Sequence, residues 1–251
     1  MKDATEKSIV DYLEKVNFAT VEEICNVTYS SASTVRRRLT ALQDKGLVIR
    51  THGGATLNTT ASAFSDFSYR IELNAVAKKH MALLAVKYIK DGQTIFLDDS
   101  TSVYYMVKYL EEFKNLTVAT SGIDTLLLLS KLHVNVFSTG GRIDDQNRSR
   151  LGGGFAEYFI ENMHFDTAFF SRKAVDFDGN ITDNNADGNF FLNKVMQNSD
   201  KSVFLCDWEK FGTTSSFKMC HLSDVDVMIT DKNPKSVLKT DKLPEIVSVD
   251  E

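Results

Sequence analysis

Cysteine is scarce: the chain has three, Cys25, Cys206 and Cys220, far apart and without a CxxC pair. That excludes a zinc knuckle or a thioredoxin-like site, and each thiol reads as a small buried apolar side chain in a reducing compartment. Long apolar runs are missing too. The greasiest stretch, Leu126–Leu129, is four residues long, and the longest unbroken apolar run, Met81–Val86, is six, far short of the ~18 that suggest a membrane span. The first sixteen residues, MKDATEKSIVDYLEKV, alternate charges and lack the apolar core of a secretory leader, so a cytoplasmic protein with no membrane attachment is expected. No internal repeat or low-complexity segment breaks the chain. An excess of positive charge is also absent: the formal net charge is −5 and the pI is about 5.6, which on its face argues against a nucleic-acid partner.

What is present is ordinary for a globular protein. Hydrophobic residues make up 43% and charged residues 25% of 251 positions, enough for one large domain or two smaller ones without disulfide or metal staples. No cofactor and no metal set is expected.

The grammar changes along the chain. Residues 1–56 read as three short helices and a hairpin. Ile9, Leu13 and Val16 follow helical spacing. Thr20-Val21-Glu22-Glu23 is a capping-box pattern opening a short helix over Val21–Asn26. After the polar stretch Thr28–Ser31, either Ser31 or Ser33 can cap a third helix that places Val35, Leu39 and Leu42 on one face and stops at Gly46. Two helices joined by a few residues are a helix-turn-helix signal. Leu47–Arg50 then reads as a strand and Thr51-His52-Gly53-Gly54-Ala55 as a tight turn, together a β-wing. Residues 57–70 read as a linker that packs down through Phe64, Phe67 and Tyr69. From residue 71 to 251, apolar strands (Thr94–Leu97, Thr117–Thr120, Val134–Ser138, Thr167–Phe170, Val203–Cys206, Val225–Ile229, Ile246–Val249) alternate with helices (about Ala75–Lys90, Ser102–Phe113, Ile123–Lys131, Phe155–Met163 and Phe190–Ser199). That pattern predicts a Rossmann-like, mostly parallel α/β domain covered on both faces.

Divided by region, the charge argument reverses. Residues 1–56 carry eight Lys/Arg against seven Asp/Glu, which leaves −6 for the remainder, and residues 28–56 alone hold five basic residues to one acidic. A DNA-facing surface needs this polarity. Arg36, Arg37 and Arg38 point about 100° apart on a helix. One or two of them reach base edges or phosphates, while the third faces a flanking phosphate or a neighbouring acid.

In the larger region, polar or glycine-rich turns follow successive strands: Asp98-Asp99-Ser100-Thr101-Ser102, Thr120-Ser121-Gly122, Gly140-Gly141-Arg142, Gly152-Gly153-Gly154 and, past another strand, Lys210. Strand ends of an open α/β sheet converge on one crevice, and hydroxyls with free N–H groups at a helix start suit a phosphate.

SSASTVRRRL (Ser30–Leu39), followed by RTHGGA (Arg50–Ala55), resembles the DeoR family of bacterial transcriptional repressors, whose signature runs roughly VSxxTIRRDL and then RxHGGA. Ser31, Thr34, Val35, Arg36, Arg37 and Leu39 match in place. Arg38 stands where the family has Asp, which reads as an added positive charge beside DNA. Ser30 stands where a Val packs in the turn, with Tyr29 expected to take over that packing. DDSTS is similar to the family's DSGTT, with Ser100 replacing the glycine, and TVATS to its TVVTN. STGG, FDTAFFS, DGNIT, DWEKFG and VDVMITD fall in family order, so the resemblance spans about residues 5–232.

The resemblance implies a winged helix-turn-helix reader, with Ser31, Ser33, Thr34, Arg36, Arg37, Arg38, Arg50, His52, Gly53 and Gly54 toward operator DNA. It also implies a C-terminal domain similar to ribose-5-phosphate isomerase and glucosamine-6-phosphate deaminase that binds a phosphorylated sugar. Ser100, Thr101 and Ser102 would hold the phosphate, Asp98 a sugar hydroxyl and Lys210 a phosphate or ring oxygen, with Ser121, Gly141, Arg142 and Gly152 lining the pocket. Where the family has an acid opening the helix after DGxT, this chain reads NNADGN (Asn184–Asn189). Either Asp187 substitutes, or the ligand differs, or binding is lost. A repressor of a sugar-utilisation operon, released by a sugar phosphate and at least dimeric, is the leading expectation. An isomerase- or deaminase-like enzyme with a DNA-binding appendage, and a regulator with a ligandless sensor, are the alternatives.

Overall fold

A computed structural model describes residues 2–16, 18–44, 47–57 and 67–249. The chain divides into two compact units, residues 1–73 and 74–251.

In the first unit, α1 (Lys2–Val16), α2 (Val21–Thr28) and α3 (Ala32–Asp44) are joined by a small antiparallel sheet of β1 (Phe18–Thr20), β2 (Val48–Thr51) and β3 (Gly54–Leu57) in the order β1-β3-β2. The helices form because their apolar residues recur on one face: Ile9 and Leu13 of α1, Ile24 of α2, and Val35, Leu39 and Leu42 of α3 are all buried in a shared core with Ala19, Val48 and Ala55. Val16, expected on the same face as Ile9 and Leu13, is exposed, because the core stops one turn before the helix does. The strand β1 was not legible in the sequence. Three residues show no period, yet Ala19 is fully buried and pairs with Ala55.

Of the expected linker, Leu57 closes β3 and is buried. Residues 58–66, Phe64 among them, lie outside the described residues, as do the Tyr69 side chain and Gly46. Residues 67–72 form a further helix, α4 (Phe67–Glu72), with Phe67 buried, so the end of the expected linker is ordered structure.

The second unit is built on a seven-stranded parallel sheet in the order β15-β14-β12-β9-β4-β5-β6. Its strands are β4 (Thr94–Leu97), β5 (Thr117–Thr120), β6 (Asn135–Ser138), β9 (Thr167–Phe170), β12 (Ser202–Leu205), β14 (Val227–Thr230) and β15 (Glu245–Ser248). Side chains alternate between two cores, one per face: Phe96, Phe170 and Phe204 point into one, while Ile95, Leu97, Phe169, Val203 and Leu205 point into the other. Burial on both faces is why these strands are apolar throughout rather than alternating. The chain runs outward from β4 through β5 to β6, then returns to β9 on the other side of β4 and runs outward again. The switch point of the sheet therefore lies between β4 and β9.

Around this sheet lie α5 (Ala75–Ala85), α6 (Thr101–Tyr104), α7 (Ile123–Leu129), α8 (Gly154–Glu161) and α9 (Ala186–Gln197). Three expected helices differ. The one expected over about Ala75–Lys90 is α5, ending at Ala85, followed by a 3₁₀ turn over Val86–Tyr88. The one expected over Ser102–Phe113 is α6 followed by a separate 3₁₀ segment, Val107–Glu112. The one expected from Phe190 starts at Ala186, because the Asn185 side chain accepts the Gly188 N–H at 2.7 Å and caps it. Two small antiparallel elements were not anticipated: a hairpin of β7 (Arg142–Ile143) and β8 (Leu151–Gly152), and a sheet of β10 (Ala174–Val175), β11 (Asn180–Asp183) and β13 (Phe217–His221). Among the described residues no helix is long and apolar enough to cross a membrane.

Candidate functional site

The first surface is assembled by α2, α3 and the β2–β3 hairpin. The capping box is formed in full: the Glu23 N–H donates to Thr20 Oγ1 (3.2 Å) and the Thr20 N–H to Glu23 Oε2 (2.8 Å). The α2 helix ends at Tyr29 with φ +50°, ψ +38°. Tyr29 was expected to fill the turn. Its side chain instead points away from the core and the residue is 97% exposed. Ser31 then opens α3, accepting the Thr34 N–H at 3.3 Å and sharing hydrogen bonds with the Ser33 and Thr34 hydroxyls, each at 3.0 Å. Ser31 and Ser33 are exposed and Thr34 is half-buried.

The three arginines separate. Arg36 and Arg37 are exposed, outside the stripe of Val35, Leu39 and Leu42. Arg38 falls on the flank of that stripe and turns inward. Its Nη1 lies 3.2 Å from Glu6 Oε1 of α1, and the two side chains are only 12% and 7% exposed. Of the two alternatives for the third arginine, the structure takes the neighbouring acid, and the reading of Arg38 as a charge beside DNA is corrected: it is a part-buried cation paired with Glu6 between α1 and α3, and two arginines rather than three face outward. Gly54 is corrected as well. It is buried, and a Cβ there would lie 2.3 Å from the Ala19 carbonyl oxygen and 2.9 Å from the Phe18 ring. Gly54 thus permits β1 to approach β3 and does not present itself to a partner. Gly53 (φ +84°) and His52 form the exposed tip of the wing. The tip is tied back by the Val21 N–H donating to the Gly53 carbonyl (2.9 Å). Arg50 is exposed, with Nη1 donating to Thr40 Oγ1 at 2.7 Å and its own N–H to Gln43 Oε1 at 3.2 Å, which fixes the wing to α3.

The second surface is at the carboxyl edge of the parallel sheet, at its switch point. Asp98, directly after β4, is buried and accepts the Ser100 N–H (2.9 Å) and the Ser171 N–H (3.0 Å), with Arg172 Nη1 at 3.5 Å. Burial, reinforced by the negative charge of Asp99, pushes the Asp98 carboxyl up to about 6 against the opposing pull of Arg172 and these donors. Ser100 caps α6 through the Val103 N–H (3.3 Å). Thr101 Oγ1 accepts from Lys78 Nζ of α5 at 2.9 Å, and Lys78 is itself buried. Lys210 Nζ donates to Ser171 Oγ (2.6 Å) and lies 3.5 Å from Asp207, whose other oxygen accepts from Asn74 Nδ2 at 2.9 Å. One network thus joins Arg172, Asp98, Ser171, Lys210, Asp207 and Asn74. Beside it, the buried hydroxyls of Ser102, Ser121, Thr125 and Thr139 have no hydrogen-bond partner among the described residues, a state that buried hydroxyls rarely keep without a ligand or water.

The hairpin β7–β8 folds against these loops. The Leu151 N–H donates to the Ser121 carbonyl and the Ile123 N–H to the Ser149 carbonyl, both at 2.8 Å, and Asn147 Nδ2 donates to Asp99 Oδ2. Gly141 (φ +95°) and Gly152 are in contact at the root of the hairpin, where a Cβ on Gly141 would lie 2.4 Å from the Gly152 oxygen. Arg142, expected to line the pocket, is exposed and faces Asp145 at 3.9 Å. The buried arginine is Arg150, paired with Asp144 and 5.9 Å from the centre of the Phe191 ring. Burial alone would raise Asp144, but Arg150 and the Asn147 and Gln146 N–H groups hold it below the usual carboxylate range. Asp187, weighed as a substitute acid, is exposed, and Asn185 takes the capping position at that helix start.

Sequence reasoning missed Lys78, Arg150, Ser171 and Arg172. Ser171-Arg172 follows β9 directly, so the strand-end rule applied to Ser121 finds it once β9 is known to flank the switch point. Lys78, inside AVAKKH, carries no local signal. Burial pushes the Cys206 thiol up strongly and that of Cys220 up to about 12, as expected of inert thiols. Among the described residues, no group of three or more His, Cys, Asp or Glu side chains is placed to hold a metal ion.

A winged helix-turn-helix unit followed by an α/β unit with a polar crevice at its switch point is the architecture of a ligand-responsive transcriptional regulator. Two family models match the chain: the DeoR-like helix-turn-helix domain over residues 6–61 and the DeoR C terminal sensor domain over residues 73–232. The chain belongs to the DeoR family of transcriptional regulators. Among curated relatives, the HTH-type transcriptional regulator GolR of Listeria innocua is 32% identical over 93% of this chain and 92% of its own. The HTH-type transcriptional repressor GlcR of Bacillus subtilis is 30% identical over 90% and 87%, and the L-fucose operon activator of Haemophilus influenzae is 29% identical over 96% and 97%. Of solved structures, ribose 5-phosphate isomerase from Plasmodium falciparum aligns with a TM-score of 0.40 at 19% identity, over 55% of this chain and 52% of its own.

Proposed function

We propose that this protein is a repressor of a carbohydrate-utilisation operon whose hold on operator DNA is set by a phosphorylated sugar. The observation that carries the reading is the pairing in one chain of an α3 surface bearing Arg36 and Arg37 with a switch-point crevice bearing Lys78, Arg172 and Lys210. On the DNA side, Arg36 and Arg37 read base edges or phosphates, Ser31, Ser33 and Thr34 hold phosphates, and Arg50, His52 and Gly53 carry the wing against the flanking duplex. A homo-oligomer, at least a dimer, presents two such units to spaced half-sites. On the effector side, Lys78 and Lys210 are the cations for the phosphate, Ser100, Thr101, Ser102 and Ser121 supply hydroxyls, and Asp98 meets a sugar hydroxyl, with Gly141 and Gly152 shaping the wall. The protein acts in the cytoplasm and is not an enzyme.

The test is operator binding measured with and without a panel of phosphorylated sugars. One sugar phosphate is expected to weaken binding, and retained binding with every sugar would refute the effector assignment. Arg36→Ala and Arg37→Ala are each expected to weaken operator binding by about 1–3 kcal/mol, or to lower the salt slope by about one where the arginine holds a phosphate. Unchanged affinity and slope in both would refute the α3 assignment. Because one relative is named an activator, a reporter fused to the target promoter decides the sign: expression that rises on deletion of the regulator fits repression, and expression that falls fits activation. Turnover of a sugar phosphate that Lys210→Ala destroys would restore the enzyme reading.

A further inference from the structure

Three non-glycine residues have positive φ among the described residues: Asn74, Asn115 and Tyr29. Asparagine tolerates this left-handed region, whereas a bulky side chain rarely enters it. Tyr29 is therefore the outlier, and its ring gains nothing from the strain, since the residue is 97% exposed. Nor does the turn need the ring. It is held by the Tyr29 N–H and the Ser30 N–H donating to the Cys25 carbonyl, by Thr28 Oγ1 donating to the Ile24 carbonyl (2.7 Å) and by Ser30 Oγ donating to the Thr28 carbonyl (3.1 Å). The left-handed backbone closes α2, a position that glycine or asparagine fills without strain, so what the turn does not account for is the large aromatic displayed to solvent two residues before Ser31 at the start of α3.

We propose that Tyr29 is a DNA-contacting residue whose phenol O–H donates to a phosphate oxygen of the operator beside α3. The proposal rests on the DNA-binding reading above. A phenol is neutral, so this contact adds affinity without releasing a counterion, in contrast to an arginine on a phosphate.

The experiment uses the full chain and the duplex that it selects from a randomised library, titrated across salt concentrations. Tyr29→Phe removes only the hydroxyl, and Tyr29→Asn places a residue suited to the left-handed region. Both variants are expected to bind about tenfold more weakly with the wild-type salt slope, while Tyr29→Asn melts no lower than wild type. Wild-type affinity in both variants overturns the proposal. Weakening in Tyr29→Asn alone assigns the ring and not the hydroxyl, and overturns the phosphate contact. A slope reduced in Tyr29→Phe also overturns it, because a charge has then been displaced. A wild-type chain that selects no duplex refutes the DNA-binding reading itself, and Arg37→Ala serves as the charged control for the slope.

Discussion

Removing the Glu6 carboxylate would leave Arg38 as an uncompensated cation inside the DNA-binding unit. The two side chains lie 3.2 Å apart at 12% and 7% exposure, close to the regime in which breaking a buried pair costs about 3–5 kcal/mol. Because some solvent reaches both, Glu6→Ala is expected near the lower end, about 3 kcal/mol. For a unit of this size each kcal/mol moves the midpoint by about 4–8 °C, so its melting should drop by about 12–24 °C. Urea unfolding gives the total loss, and hydrogen exchange followed peptide by peptide localises it to residues 2–57. The companion variant replaces both partners, Glu6→Leu with Arg38→Met. Apolar side chains of similar reach are expected to return stability to within about 1 kcal/mol of wild type, since neither buried charge is then left alone. The double variant is also expected to bind operator with an unchanged salt slope, because the Arg38 guanidinium is turned toward Glu6 of α1 and not outward. A slope lowered by about one in the double variant would refute the inward assignment of Arg38.

Further outcomes bear on the crevice and the wing. A sugar phosphate at about 100 times its dissociation constant should stabilise the wild-type chain by about 2.7 kcal/mol. Lys78→Met is expected to lose most of that gain in a thermal-shift titration, and a full shift in the variant would exclude Lys78 from the phosphate site. Asp98, pushed up to about 6, keeps its proton in the folded chain down from about pH 6, whereas the unfolded chain releases it near pH 4. Its contribution to stability is therefore present below pH 4 and lost as pH rises through 6. The stability of Asp98→Asn relative to wild type should accordingly improve between pH 4.5 and 7 in urea titrations, and a difference flat with pH would contradict the shift. Gly54→Ala, with its Cβ 2.3 Å from the Ala19 oxygen, should cost about 1–3 kcal/mol by overpacking. Gly53→Ala meets open space at φ +84° and should cost about 1 kcal/mol. Urea midpoints that rank the two in the opposite order would show that β1 does not press on Gly54.

The parallel strands were readable because burial on both faces leaves runs such as TIFL and TAFF with no polar interruption, a signal confined to a few consecutive residues. The β10-β11-β13 sheet was not readable, since its strands run from two to five residues and pair across long separations, Asn180 with His221 for example. The helix break after Tyr104 escaped notice because Val103, Met106, Val107 and Leu110 are spaced as one helix would need. All four are buried while the chain tightens into a 3₁₀ turn. That α3 carries Arg36 and Arg37 outside its apolar stripe was legible from the spacing, but which of three adjacent arginines turns inward depends on Glu6, 32 residues away. The same applies to the crevice. Asp98 and Lys210 stand out by their turns, whereas Lys78 acquires its meaning only when α5 packs beside Thr101.

Asn74 has a consequence for the modular use of such proteins. It is the first residue of the second unit, and its side chain reaches across 133 positions of sequence to Asp207, the acid beside Lys210. The seam at which one reader would be exchanged for another is therefore one residue wide. A chimera spliced between Leu73 and Asn74 keeps the sensor's hydrogen-bond network whole. One spliced a turn later, past Lys78, discards both Asn74 and a buried cation of the crevice while leaving every strand of the sheet in place. On the effector reading proposed above, such a hybrid is expected to bind DNA yet lose its response to a sugar phosphate, a failure that an inspection of domain boundaries alone would not foresee.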